Sequence, residues 1–121
     1  MRVLIADKSD LIVKRLEELF SEIIFILGTD KAFSYEEALQ LFKQNKPEVI
    51  VMDLHLPGHT CLPLLKEIKE HSPQTVVIIM FLDADEYLMQ QCKKAGADFF
   101  FDKYHEFEKI PVVITEIASK S

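Results

Sequence analysis

Glycine, basic charge and long apolar runs are all scarce in this chain, and each shortage removes a class of function. Its three glycines, Gly28, Gly58 and Gly96, are scattered, so no glycine-rich loop exists to cradle a nucleotide phosphate. Fourteen lysines and arginines face 20 aspartates and glutamates, a formal net charge of −6 and a pI near 5.2. Nucleic-acid binders carry a basic stripe, and no nucleic-acid partner is expected here. The longest apolar run, Val76 to Leu82, falls far short of the roughly 20 residues of a membrane-spanning helix. No membrane association is expected. The opening residues Arg2-Val3-Leu4-Ile5-Ala6-Asp7 are too short an apolar stretch for a signal-peptide core. Only two cysteines occur, Cys61 and Cys92, more than one element apart and without zinc-ligand spacing. They read as reduced, small core residues, which fits a cytoplasmic protein.

What is present suits one compact soluble unit. At 121 residues, with 49% hydrophobic and 28% charged residues, the chain is large enough to bury roughly two-thirds of its unfolded surface in one core. Residues 1–121 are expected to form a single domain, with no repeat, linker or low-complexity segment.

The apolar period alternates between strand and helix. Val3 to Ala6 is a first short buried strand, and Ser9 is placed to cap a helix with Ile12, Leu16, Leu19, Phe20 and Ile23 inward. Ile24 to Leu27 is expected as the second strand, ended by Gly28. Ser34 and Glu37 make a capping box before a helix that turns Ala38, Leu39 and Phe42 inward. Val49 to Asp53 is the third strand. A third helix follows with Leu62, Leu65 and Ile68 inward, stopped at Ser72-Pro73. Val76 to Leu82 is the fourth strand. Asp83 or Asp85 caps a fourth helix with Leu88, Cys92 and Ala95 on one face, and Gly96 ends it. Ala97 to Phe101 is the fifth strand, and a last helix runs near Ile110 to Ala118 with Pro111 in its first turn. This alternation implies an α/β protein: a doubly wound, five-stranded parallel sheet in the order 2-1-3-4-5, with helices on both faces.

One aspartate stands out. Asp53 closes the run Val49-Ile50-Val51-Met52, which reads as a strand buried on both faces, and Pro57-Gly58 turns the chain soon after. Open α/β sheets place their chemistry at the carboxyl ends of such strands. The strand order then sets Asp7, after strand one, beside Asp53, with Lys103, after strand five, close to both. A nucleophile or metal ligand at Asp53 competes with a simple solvated aspartate, and Asp7 with a capping role for the first helix.

Four features in this order resemble the receiver domain of two-component response regulators, the CheY-like fold: Asp7, the stretch Asp53 to Pro57-Gly58, Ala95-Gly96-Ala97, and Lys103. The resemblance spans essentially the whole chain. It implies that Asp53 is the phospho-acceptor, taking a phosphoryl group from a histidine kinase or phosphotransfer protein by covalent carboxylate chemistry. It implies that Asp7, Asp53 and the backbone carbonyl of His55 hold Mg²⁺. Lys103 would pair with the phosphoryl group as a mobile point charge, and Phe100 falls at the switch aromatic. The output would be a contact with a downstream protein through the fourth helix, fifth strand and fifth helix, with homodimerisation left open and no output domain in this chain. Catalytic turnover is not expected.

Two residues depart from the family pattern. Lys8 stands where a second acidic metal ligand belongs. Two unit charges about 4 Å apart near a surface interact by roughly 4 kcal/mol, and a dication doubles the repulsion. Lys8 either swings into water, or pairs with Asp7 or Asp53 in place of the metal. Phe81, counted back from Ala95-Gly96, stands where the family has a threonine or serine hydroxyl. Cys61, where the family often has glycine, reads as a packing variant. Lys8 and Phe81 support an alternative: a pseudo-receiver that binds partners without phosphate. A phosphatase-like hydrolase is disfavoured because His55, not a second acid, lies two residues beyond Asp53. Zinc at His55 and His59 is disfavoured because no ligand spacing fixes them. The Phe99-Phe100-Phe101 run reads as packing, with a partner surface shared with Tyr87 and Tyr104 as the rival view.

Overall fold

The computed structural model describes residues 1–120. In chain order the elements are β1 (Arg2–Ala6), α1 (Asp10–Ser21), β2 (Gly28–Ala32), α2 (Tyr35–Asn45), β3 (Val49–Asp53), β4 (His55–Leu56), β5 (His59–Thr60), α3 (Leu62–His71), β6 (Val76–Phe81), α4 (Glu86–Lys94), β7 (Phe99–Asp102) and α5 (Lys109–Lys120). The main sheet has five strands in the order β2-β1-β3-β6-β7, all parallel. This is the expected doubly wound architecture. The addition is a small antiparallel hairpin, β4 with β5, closed by Pro57-Gly58. Gly58 sits at φ +89°, the left-handed geometry that a turn with proline followed by glycine requires.

Strand alternation sorts the core into two halves. Leu4, Ala6, Ile50, Met52, Val77 and Ile79 face α2, α3 and α4. Val3, Ile5, Val49, Val51, Ile78 and Met80 face α1 and α5 through Val13, Leu16, Phe20, Ile110 and Ile114. Burying each of the larger side chains stabilises the fold by roughly 1.5–3 kcal/mol. The caps act as the side chains suggest. Ser9 Oγ accepts from the Ile12 amide at 3.3 Å, Ser34 Oγ from the Glu37 amide at 3.2 Å, and Asp85 from the Leu88 amide at 3.1 Å. Asp85, not Asp83, is therefore the α4 cap.

The second strand is the clearest correction. It runs Gly28–Ala32, not Ile24 to Leu27. Its register is set against β1, with Arg2 opposite Gly28 and Ala6 opposite Ala32. β2 is an edge strand, so polar residues serve it. Asp30 takes the Arg2 guanidinium at 3.2 Å and the Asn45 amide at 2.9 Å, and Lys31 pairs with Glu17 at 3.3 Å. The apolar run lies in the preceding loop, with Ile24 86% and Leu27 83% exposed. Smaller shifts follow the same logic. α1 ends at Ser21, leaving Ile23 outside it, and Val13 is a buried position of that helix. β6 stops at Phe81, so Leu82 is exposed, and β7 begins at Phe99 instead of Ala97.

The register correction is testable by urea denaturation. Ile50→Ala should cost about 2–5 kcal/mol, whereas Ile24→Ser should change stability by no more than about 0.5 kcal/mol. A comparable loss at both positions would contradict the placement of β2.

Candidate functional site

Three charged side chains converge at the carboxyl edge of the sheet. Asp7 follows β1 directly. Its amide donates to the Ala32 carbonyl at 3.0 Å, and its Oδ1 accepts from the Ser9 amide at 2.8 Å, which ties the carboxylate to the entry of α1. Asp53 is the last residue of β3, opposite Met80, and its Oδ1 accepts from the His55 amide at 3.3 Å. Lys103 follows β7, and its amide donates to the Phe81 carbonyl at 2.8 Å. From there its side chain reaches past β6 to the pair of acids. Lys103 Nζ lies 2.6 Å from Asp7 Oδ2 and 3.0 Å from Asp53 Oδ2.

All three are buried: Asp7 is 0%, Asp53 6% and Lys103 8% exposed. Charges with so little water need partners, because removing one member of a buried pair strands the other. One ammonium between two carboxylates leaves a local excess of one negative charge. The two contacts differ in kind. Lys103 donates a hydrogen bond to Asp53 Oδ2. Asp7 Oδ2 is close to the ammonium but lacks an aligned hydrogen bond. A buried carboxylate oxygen without a hydrogen-bond partner, beside a second strand-end carboxylate, fits a small oxygen-seeking cation.

The loop that aims Lys103 is braced by its neighbours. Asp102 accepts from the amides of Tyr104 at 2.7 Å and His105 at 3.2 Å, and Glu106 accepts from the Asp102 amide at 3.1 Å. The Tyr104 amide, followed by the contacts to His105, holds the Asp102 carboxyl below its usual value. The Asp102 amide and Lys109 do the same for Glu106.

The remaining predicted positions fall around this centre. Lys8 is exposed and makes no ion pair among the described residues, so it swings into water and does not substitute for a metal at Asp7 or Asp53. Phe81 ends β6, half-buried against the core half that α4 covers, and Phe100 packs against the same half. Phe100 lies opposite Ile79, two pairs before the Phe81–Asp102 pair. His55 and His59 are exposed in the hairpin, and the His59 ring lies 4.3 Å from that of Tyr35. Among the described residues, the three potential metal-ligating side chains that approach one another are Glu67, Glu70 and His71. They lie near the end of α3, away from Asp53, so they do not belong to this centre. Sequence spacing missed one feature altogether: Cys61 and Cys92 meet, with their sulfurs 3.5 Å apart. The signal was indirect, since Cys61 precedes one helix and Cys92 lies on the inward face of the next.

A family model for the response regulator receiver domain matches residues 3–115. The chain belongs to that family. This receiver domain is 27% identical over 118 residues to the chemotaxis protein CheY of Halobacterium salinarum, covering 98% of this chain and 97% of that protein. It is 30% identical over 120 residues to the transcriptional activator protein ExaE of Pseudomonas putida, covering 99% of this chain but 54% of the activator. Among solved structures, the receiver domain of the Francisella response regulator 1452 superposes with a TM-score of 0.83 at 27% identity, covering 98% of this chain and 97% of that one. The signal receiver domain of a DNA-binding response regulator from Colwellia psychrerythraea superposes with a TM-score of 0.88 at 19% identity, covering 98% of each. At that identity the likeness is one of fold. Receiver domains are generally signalling modules of two-component systems, and they typically bind Mg²⁺ at their acidic pocket and engage histidine kinases or phosphotransfer proteins. No helix among the described residues is long and apolar enough to cross a membrane.

Lys103→Met should destabilise the fold by about 3 kcal/mol at pH 7, as for other broken buried pairs. Chemical denaturation measures this loss, and a deficit no larger than about 1 kcal/mol, the value of an exposed pair, would contradict the buried triad. The contribution of Asp102 depends on pH. Its depressed carboxyl stabilises the turn above the unfolded value of about 3.9, and that support is lost as pH falls below it. The hydrogen-exchange protection factor of the Tyr104 amide should therefore fall as pH drops below that value and stay constant above it.

Proposed function

We propose that Asp53 accepts a phosphoryl group from the phosphohistidine of a histidine kinase or phosphotransfer protein. The observation that carries this reading is the Lys103 ammonium, 3.0 Å from the Asp53 carboxylate. It supplies a mobile positive charge where a phosphoryl group would add negative charge. An Asp53 oxygen attacks phosphorus and forms a P–O bond. The P–N bond to the donor ring, protonated on its other nitrogen, breaks with its electron pair staying on nitrogen, and the neutral imidazole leaves. Lys103 then follows the new phosphoryl oxygens, releasing its hold on Asp7.

Asp7, Asp53 and the backbone carbonyl of His55 are the residues that would hold Mg²⁺. When bound, the ion would offset the charge of the incoming phosphoryl oxygens. Lys8 weakens this site by occupying an acidic position, but its exposure limits the repulsion it exerts. The output surface is the face of α4, β7 and α5, where Tyr87, Tyr104 and Val112 are exposed. Aromatic residues of this kind favour a protein partner, whether a downstream target in the cytoplasm or a second copy.

One observation favours a second reading, a phosphate-independent pseudo-receiver. The half-buried Phe81 ring packs against the core half that α2, α3 and α4 cover, at the position where a hydroxyl would hydrogen-bond the phosphoryl group and be drawn inward. Such a ring holds the output face in one state whatever happens at Asp53.

A small phosphodonor, applied with and without Mg²⁺, separates the two. The first reading expects the mass gain of one phosphoryl group in the wild type and none in Asp53→Asn. No gain under either condition would leave the pseudo-receiver. Lys8→Asp should tighten Mg²⁺ binding at least about tenfold, which corresponds to roughly 1.4 kcal/mol. Unchanged affinity in a direct titration would contradict the assignment of Lys8 as the weakening residue.

A further inference from the structure

Cys61 and Cys92 are both fully buried and free, with sulfurs 3.5 Å apart. They belong to different elements. Cys61 caps α3 with its backbone only, making no side-chain capping bond, and Cys92 lies in the last half of α4. The Cys61 amide donates to the Leu54 carbonyl at 2.9 Å, one residue beyond Asp53. The thiol pair therefore joins the loop after the proposed acceptor to the helix of the output face.

We propose that Cys61 and Cys92 are a disulfide-forming pair, closed by a hydroperoxide into a reversible covalent staple between α3 and α4. A disulfide needs the sulfurs at about 2.05 Å, so the remaining gap of about 1.5 Å is within the reach of a rotamer change and a small helix shift. The chemistry balances in two steps. One thiolate sulfur attacks the peroxide O–O bond, giving a sulfenic acid and an alcohol or water. The second sulfur then displaces the sulfenic oxygen as water and forms the S–S bond. Two thiol hydrogens and two electrons pass to the peroxide overall.

Two features favour an oxidisable pair over inert packing. First, the thiols share a hydrogen bond that polarises them in opposite directions. Bonding to Cys92, reinforced by burial, pushes the Cys61 thiol up, and the same bond lowers that of Cys92. Cys92 is thus the more acidic of the two thiols, an attacking sulfur with its resolving partner Cys61 in contact. Second, α4 is a helix of nine residues with only Leu88 and Cys92 fully inward. Local opening of such a short element admits a small oxidant without global unfolding.

The test treats the folded, reduced chain with hydrogen peroxide, quenches with an alkylating agent in denaturant and reads the intact mass. The expected result is a loss of about 2 Da with no alkylatable thiol, reversed by dithiothreitol. Peptide mapping should place the crosslink between the segments holding Cys61 and Cys92. Cys92→Ala should abolish the loss, and Cys61→Ala serves the same purpose if Cys92→Ala does not fold. Deuterium exchange over residues 86–94 should slow in the oxidised protein and recover on reduction. Retention of both thiols by the folded protein would overturn the proposal. So would a disulfide that forms only after unfolding in urea, or oxidation of each sulfur to a sulfinate.

Discussion

The ammonium of Lys103 sits between Asp7 and Asp53, and much of the molecule's organisation comes from keeping it there. Three charges withdrawn from water are stable only if they satisfy one another. That requires the ends of three strands, β1, β3 and β7, to meet at a fixed height. The parallel order β2-β1-β3-β6-β7 provides this by setting β1 and β3 side by side, with one strand between them and β7. The Phe81–Lys103 backbone bond and the turn anchored by Asp102 then set the direction from which the lysine enters. Fold and site are thus one arrangement. The apolar faces bury the sheet, and the strand termini collect the charges that the interior cannot hold.

In the proposed function, the same arrangement prepares the pocket for negative charge added at Asp53. Lys103 is already desolvated and oriented, so little reorganisation is needed when negative charge is added at Asp53. Two departures shape the consequences of such an event. In the proposed function Lys8 would lower the attraction for a divalent ion without closing the pocket, since it lies in solvent. Phe81 replaces a small polar group with a ring packed into the α4 side of the core. In the proposed function the first change bears on how charge is received and the second on how it is relayed.

The parts of this picture legible in the residues are those governed by short-range pattern. Val49 to Asp53 is apolar at every position but its last, and only a central parallel strand tolerates that. Ser9, Ser34 and Gly96 mark helix ends by local hydrogen bonding and backbone geometry. Asp7, Asp53 and Lys103 could be joined because strand order follows from alternation of elements. Edge structure was harder. Gly28 to Ala32 carries Thr29, Asp30 and Lys31, and its strand character depends on β1, Asn45 and Glu17, all remote in sequence. The apolar stretch Ile24 to Leu27 was the stronger local signal, and it lies in a loop. The meeting of Cys61 with Cys92 was illegible for a related reason. Their distance depends on how α3 and α4 pack, which no residue spacing encodes.

Acceptance of a phosphoryl group at Asp53 is best challenged by amide spectra recorded with beryllium fluoride and Mg²⁺, a stable mimic of a phosphoryl group on a carboxylate. Shifts should centre on Asp7, Asp53 and Lys103 in the wild type, and none of them should occur in Asp53→Asn. Spectra unchanged by the mimic, or changed equally in the variant, would contradict a phosphoryl-accepting role for this pocket.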